Sequence, residues 1–136
     1  MNFSKTTEYA LRILSFMAKD DTKLYSVNEI YDALKIPLRY LKKQMTVLSK
    51  SGLIKSIQGR QGGYKIAGNI RNIYLYDIIS VTEDNILQNV CFFGYPDCNR
   101  RPHCVMHEKW ASVRENMIGV LKKTSLNDLK ENNKTI

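Results

Sequence analysis

All three cysteines of the chain, Cys91, Cys98 and Cys104, and both histidines, His103 and His107, fall inside one stretch, VCFFGYPDCNRRPHCVMHEKW, residues 90–110. Six residues separate the first two cysteines and five the second two, which is not the C-x-x-C spacing of zinc ribbons or dithiol redox sites. Loops of that length can wrap something larger than one ion. Thiolates are the usual ligands of iron–sulfur clusters, and three of them leave one cluster position for another ligand. His107 follows Cys104 by three residues, so on a helix the two share a face. His103, next to Cys104, points elsewhere and is the weaker candidate. Two other chemistries fit the same residues. One is a structural zinc held by three cysteines and a histidine, and the other is reactive thiols without metal. The odd number of cysteines fits poorly with a disulfide framework.

Charge is divided along the chain. Residues 1–72 carry 13 Lys/Arg against 5 Asp/Glu, whereas residues 73–136 carry 8 of each. The whole surplus of +8 therefore precedes the cysteines, and such asymmetry suggests an N-terminal half that meets a polyanion. The chain has no signal-peptide pattern and no apolar run near the roughly 18 residues of a membrane helix, so a cytoplasmic protein with no membrane partner is expected. No nucleophile–base–acid set or phosphate-cradling glycine loop is present, which argues against an enzyme. A protein that carries iron–sulfur clusters is a rival reading, but it would not need the basic first half.

The elements that must position these groups follow from periodicity. Ser4 can cap a helix to about Lys19 with Ala10, Ile13, Leu14 and Met17 as its buried stripe. Ser26 caps a second helix with Glu29 as capping-box partner, and Val27, Ile30 and Leu34 form its apolar face. Ile36-Pro37 starts a third, with Leu38, Leu41, Met45 and Leu48 inward and Ser51-Gly52 at its end. LIKSI (53–57) and YKIA (64–67), joined by QGRQGG, read as a hairpin. Three helices and a basic-tipped hairpin make a winged helix-turn-helix. The fold class is mostly α, with a small β-hairpin wing.

Arg39, Lys42, Lys43 and Thr46 form the outward stripe of the third helix, with Tyr40 beside them, and Gln58, Arg60 and Gln61 occupy the wing tip. Together they are the expected contacts to double-stranded DNA, the helix in the major groove and the wing on backbone or minor groove. After Asn72, a short helix packs Ile73, Leu75, Ile78 and Ile79 beneath the wing. From Val105 a long C-terminal helix carries Met106, Trp110, Val113, Met117 and Val120 at steps of four and three. That alternation is the seam of a coiled-coil pair, so a homodimer on a palindromic operator is expected. The chain thus divides into a DNA-binding domain (1–72), a cysteine loop with dimerisation helix (73–124), and a polar tail (125–136) that frays.

TEYALR (7–12), IPLRYLKKQMTVL (36–48), SGLIKSIQGRQGGYKIA (51–67) and the three cysteines give the chain a family likeness. Over about residues 1–124 it resembles the Rrf-type winged-helix regulators of bacteria, a family that includes the iron–sulfur-cluster assembly regulator and the nitric-oxide-sensing repressor. The most specific parts are GRQGGY at the wing and C-x5-C-x2-H-x2-W from Cys98 to Trp110. The resemblance implies a dimeric transcription regulator, a repressor in the preferred reading, whose operator affinity follows an iron–sulfur cluster sensing nitric oxide, redox state or iron–sulfur status. It implies Cys91, Cys98 and Cys104 as ligands, with either His107 or, from the partner subunit, a residue matching Glu8 as the fourth. His107 is preferred, and a 2Fe–2S cluster is preferred to 4Fe–4S. The six-residue gap between Cys91 and Cys98 departs from the family's shorter spacing. The family also has clusterless members, so a thiol-based or zinc-containing regulator of the same fold is the alternative.

Overall fold

The computed structural model describes residues 3–83, 91–95 and 104–132. Helix α1 spans Lys5–Met17 and α2 Val27–Leu34. Both start where a serine satisfies an orphan amide. Ser4 Oγ accepts from Thr7 N, and Ser26 with Glu29 forms a full capping box. Helix α1 ends two residues earlier than its periodicity suggests and tightens into a 3-10 turn, Ala18–Asp20. Lys35 closes α2 in the left-handed region at φ 55°. Pro37 then stands just ahead of α3, Leu38–Lys50, whose first turn its fixed φ prepares.

Strands β1, Ile54–Ile57, and β2, Gly63–Ile66, pair antiparallel in the register Ile54 to Ile66 and Ile57 to Gly63. Gly63 is glycine because a Cβ there would meet the carbonyl oxygen of Tyr25 at 2.8 Å. Through that close approach Tyr25 and Tyr64 exchange two backbone hydrogen bonds of 2.8 Å, which lash the wing to the turn between α1 and α2. Helix α4, Leu75–Thr82, α5, Val105–Lys123, and α6, Leu126–Glu131, complete the chain.

One core holds the helix-turn-helix together. Ala10, Ile13, Leu14 and Met17 of α1 are fully buried with Ile30, Ile36, Leu41, Met45 and Leu48. Leu38, expected inward, is instead 39% exposed. It sits at the start of α3, and the inward stripe runs Leu41, Gln44, Met45, Leu48. Ile78 and Ile79 of α4 are fully buried and Ile73 is 7% exposed, as their pattern suggests.

The fraying expected of the tail is not found over residues 126–131. Ser125 and Asp128 form a capping box, Leu126 is fully buried, and Leu129 packs on the main core. Leu75 N donates to Thr124 O at 2.9 Å and Leu126 N to Ile73 O at 2.8 Å, so the end of α5 is stitched to the start of α4. Lys130 Nζ also lies 3.0 Å from Asp21 Oδ1, closing α6 onto the turn after α1. High average polarity concealed two well-placed leucines.

On α5 the stripe is divided. Met117 packs against Ile79 and Leu121, whereas Val113 and Val120 are 53% and 63% exposed.

At its C-terminal end α4 is fastened to the first turn of α1. Glu83 Oε2 accepts from Thr7 Oγ1 at 2.6 Å, Ser4 Oγ at 2.9 Å and Ser4 N at 3.3 Å. Thr82 and Thr7 hydroxyls meet at 2.9 Å. The Thr7 hydroxyl, and then those Ser4 donors, hold the Glu83 carboxyl below its ordinary pKa of 4.5 against a smaller opposing effect of desolvation. A depressed folded-state pKa contributes stability that is present above the unfolded value and is lost as pH falls through the folded one. Glu83→Gln should therefore destabilise the protein by about 1 kcal/mol near neutral pH, solvent at the helix end discounting the charged hydrogen bonds. The deficit should shrink once pH falls below the normal carboxylate range. Denaturant midpoints of both proteins across pH check this, and a deficit constant from pH 7 to pH 3 would contradict it.

Candidate nucleic-acid interface and cysteine segment

The outward face of α3 is built by the same periodicity that buries its other side. With Leu41, Gln44, Met45 and Leu48 inward, residues Arg39, Tyr40, Lys42, Lys43 and Thr46 are all exposed. The first turn of α3 contains no acidic residue, so its positive dipole end and the basic side chains act in one direction. Arg39 donates to Tyr40 Oη at 3.0 Å and its guanidinium lies 4.9 Å from the Tyr40 ring centre. That contact holds a flexible cation in place. Thr46 spends its hydroxyl proton on the Lys42 carbonyl at 3.1 Å, which leaves its oxygen as an acceptor toward solvent.

The wing loop presents Gln58, Arg60 and Gln61, all exposed. Gly59 adopts φ 110°, a value open to glycine and strained for other residues. At Gly62 a Cβ would collide with the Ile57 carbonyl oxygen, so the tip closes only with glycine there. The tip carries amides and one guanidinium on a rigid two-stranded base. The structure thus brings the α3 stripe together on one surface and places the wing residues at the hairpin end.

Sequence reasoning missed Gln44. It is 4% exposed within the apolar stripe, and its Oε1 is buried with no hydrogen-bond partner. The signal was available, since a glutamine three residues after Leu41 and four before Leu48 sits on the inward face.

Of the proposed cluster ligands, Cys98 lies outside the described residues, as does His103. Cys104 is the N-cap of α5 and is exposed, and its side chain caps no amide. His107 N donates to Cys104 O at 3.1 Å, so the imidazole stands one turn along from that thiol. Cys91 is half-buried, and its carbonyl accepts from Gly94 N at 3.0 Å in a tight turn. The turn is moored by aromatic rings: Phe92 lies 5.4 Å from Trp110 of α5, edge to face. Cys91 is thereby held to the same helix that starts at Cys104. Neither thiol is in a disulfide. Two thiols outside any disulfide and an exposed imidazole are the soft donor set that iron–sulfur or zinc chemistry uses, so the residues fit such a group. Among the described residues alone, no three such side chains gather into a metal site.

Glu8 stands apart from these ligands within one subunit's chain order. On the first turn of α1 it pairs with Lys5 at 3.1 Å and Arg12 at 3.9 Å. Among the described residues no helix is long and apolar enough to cross a membrane.

Comparison with known proteins agrees with this architecture. Residues 3–132 match the family model Rrf2, described as an iron-dependent transcriptional regulator. An HTH-type transcriptional regulator of Aquifex aeolicus is 33% identical over 131 residues, 95% of this chain and 91% of that one. The HTH-type transcriptional regulator NsrR of Shouchella clausii is 33% identical over 135 residues, 95% of this chain and 88% of its own. Among solved structures, CymR, the global cysteine regulator of B. subtilis, superposes with a TM-score of 0.84 at 28% identity, covering 97% and 98% of the two chains. A family of regulators is not a family of enzymes. The chain belongs to the Rrf2 family of transcriptional regulators.

Proposed function

We propose that the protein is a homodimeric repressor that binds a palindromic operator through α3 and the wing, and whose affinity follows an iron–sulfur cluster held in the cysteine segment. The observation that carries the DNA part is the continuous basic face of α3, Arg39 to Lys43, exposed beside a rigid wing tipped by Arg60. Arg39, steadied by Tyr40, has the fork geometry that reads a guanine edge. Lys42, Lys43 and the wing-tip groups Gln58, Arg60 and Gln61 hold phosphates or the minor groove and set the register.

Cys91, Cys98 and Cys104 would hold the cluster, 2Fe–2S in preference to 4Fe–4S, with His107 as the remaining ligand. When bound, the cluster supplies iron and sulfide that react with nitric oxide or oxidants. His107 is preferred because it stands one turn from Cys104 on α5. Glu8 of the partner subunit remains the alternative. The protein's own part is mechanical: Cys91 is moored to α5 by Phe92 and Trp110, so ordering this segment positions α5. Val113 and Val120, exposed on that helix, are the seam for a second copy. A shift of α5 then changes the separation of two wings, provided the cluster binds one spacing better than the other.

A second reading has one observation in its favour. The close superposition with a cysteine regulator suits a clusterless sensor in which the thiols of Cys91 and Cys104 themselves respond, and zinc at the same ligands is its variant.

Three measurements decide among these. Arg39→Ala should weaken operator binding by about 1–3 kcal/mol and blur one base position, while Arg60→Ala should reduce the salt dependence. Unchanged affinity for both variants at moderate salt removes this face. Val113→Asp should convert the dimer to monomer in sedimentation by burying an unpaired charge, and with it weaken binding to paired half-sites. A wild-type monomer at micromolar concentration would refute the seam. After anaerobic purification the protein should be coloured and contain iron, and Cys91→Ser, Cys98→Ser or Cys104→Ser should abolish the visible absorption. Colourless, iron-free protein whose DNA binding shifts with thiol oxidation would establish the clusterless reading.

A further inference from the structure

Tyr9 of α1 and Tyr40 of α3 meet where the two helices cross, with ring centroids 6.4 Å apart and planes tilted by 42°. The contact continues at both ends. The Arg12 guanidinium lies 6.0 Å from the Tyr9 ring centre. The Arg39 guanidinium lies 4.9 Å from the Tyr40 ring centre and donates to its Oη at 3.0 Å. Arg12, Tyr9, Tyr40 and Arg39 thus link α1 to the exposed face of α3. The two rings are not equally fixed. Tyr9 is partly buried against the main core, beside the fully buried Ala10. Tyr40 is 45% exposed, so its position depends on what stands next to it.

Beside the rings the helices part. A cleft of about 250 Å³ is lined by both rings, by Lys5 and Thr6 of α1 and by Lys43 of α3. The Tyr9 ring fills the α1 side of this space, and a shorter side chain there would enlarge the cleft next to Tyr40. A tyrosine bordering an open, polar cleft can turn into it at little cost unless a neighbour blocks the way. Tyr9 is that neighbour. Its hold on Tyr40 reaches Arg39, because the guanidinium rests on the Tyr40 ring and hydroxyl. An arginine gives up much rotamer freedom when its head is ordered, so one that is ordered before its ligand arrives binds with less loss. Arg39 spends one N–H on Tyr40 and keeps the others for a base edge.

We infer that Tyr9 is a positioning residue for sequence recognition: its ring holds Tyr40, and through Tyr40 it sets the direction of the Arg39 guanidinium. The inference rests on the reading of α3 as the DNA-recognition helix, and it adds a determinant of specificity on α1 that need not touch DNA. A two-pronged contact on guanine tolerates little misdirection, because both N–H groups must meet O6 and N7 together. Contacts to phosphate carry no such demand and no sequence information. Loss of the Tyr9 ring therefore lowers discrimination between base pairs and leaves the sequence-independent part of binding where it was.

The probe is a duplex selected by the wild-type protein from a randomised pool, together with its single-base-pair variants and a mixed-sequence duplex. Tyr9→Leu keeps an apolar side chain on the core and removes the ring, whereas Tyr9→Phe keeps the ring. Tyr9→Leu should lower discrimination about tenfold at the base pair that Arg39→Ala blurs. Its affinity for the mixed-sequence duplex, and the salt slope of that binding, should not change. Tyr9→Phe should discriminate as the wild type does. In an Arg39→Ala background Tyr9→Leu should have no further effect, since the two act on one contact. In the free protein, nitrogen relaxation at Arg39 Nε should show a more mobile guanidinium in Tyr9→Leu than in wild type. Tyr9→Met takes the place of Tyr9→Leu if the denaturant midpoint shows that leucine unfolds the protein. Discrimination and Arg39 mobility unchanged in the ringless variant overturn the inference. Equal weakening on every duplex, which a loosened fold would give, overturns it too, as do additive losses in the double variant. If Arg39→Ala blurs a base pair and Tyr9→Leu does not, the inference fails and the DNA reading stands. If Arg39→Ala blurs none, Arg39 reads no base and both fall.

Discussion

Withdrawal of the α1 stripe from water is the interaction on which everything else rests. Ala10, Ile13, Leu14 and Met17 reach zero exposure because α2, α3, α4 and α6 all pack on this one helix. Each of the larger side chains contributes about 1.5–3 kcal/mol by burial. The consequence for function is rigidity. Helix α3 cannot move on α1 without uncovering Leu41, Met45 and Leu48, so its basic face is presented in one orientation. The wing is held to the same body by the Tyr25–Tyr64 pairing. A reading head built this way loses little entropy on meeting DNA.

Where the sequence was legible, a local rule and the tertiary structure wanted the same thing. The serines before α1 and α2, the Glu29 capping box and the glycines of the wing each answer a backbone requirement visible in a few residues. Illegible features depended on what lay opposite. Leu38 has the right spacing for the core yet is 39% exposed at the start of α3. The segment after Thr124 carries a capping box as clear as that of α2, yet its order depends on a pairing with residues 73–75 that no local pattern announces. Met117 and Val113 sit on one predicted stripe and differ because only Met117 faces α4.

The candidate site divides in the same manner. Residue types alone pointed to Cys91, Cys104 and His107 as soft ligands, and α3's outward stripe followed from period 3.6. The mooring of Cys91 by Phe92 on Trp110 did not, because aromatic contacts across 18 residues leave no periodic trace. Nor did the engagement of Glu8 by Lys5 and Arg12, which bears on its availability as a ligand. Gln44 is a lone polar residue in an apolar stripe, and spacing alone does not tell a buried glutamine from one at the stripe's edge. Its Oε1 is buried without a hydrogen-bond partner, which only the packing around it reveals.

These strands meet in the first turn of α1. Successive residues there point about 100° apart, so five in a row serve three surroundings. Ser4 and Thr7 bind Glu83 at the end of α4, from which the chain runs into the cysteine segment. Lys5 and Thr6 line the cleft against α3. Glu8 holds Lys5, and in the alternative ligand set it is also the residue the partner subunit would offer to a cluster. One turn of helix therefore touches both the groups proposed to sense and the groups proposed to grip DNA. Coupling between two sites requires an element whose position both of them bias. A displacement of this turn by less than the width of a hydrogen bond would break the Thr7–Glu83 contact at 2.6 Å or open the Lys5 side of the cleft. The buried stripe four residues further on cannot follow it, because its packing is closed on all sides. Strain is then confined to the first turn, where polar contacts can exchange, and the core beneath remains the fixed frame against which the exchange is measured.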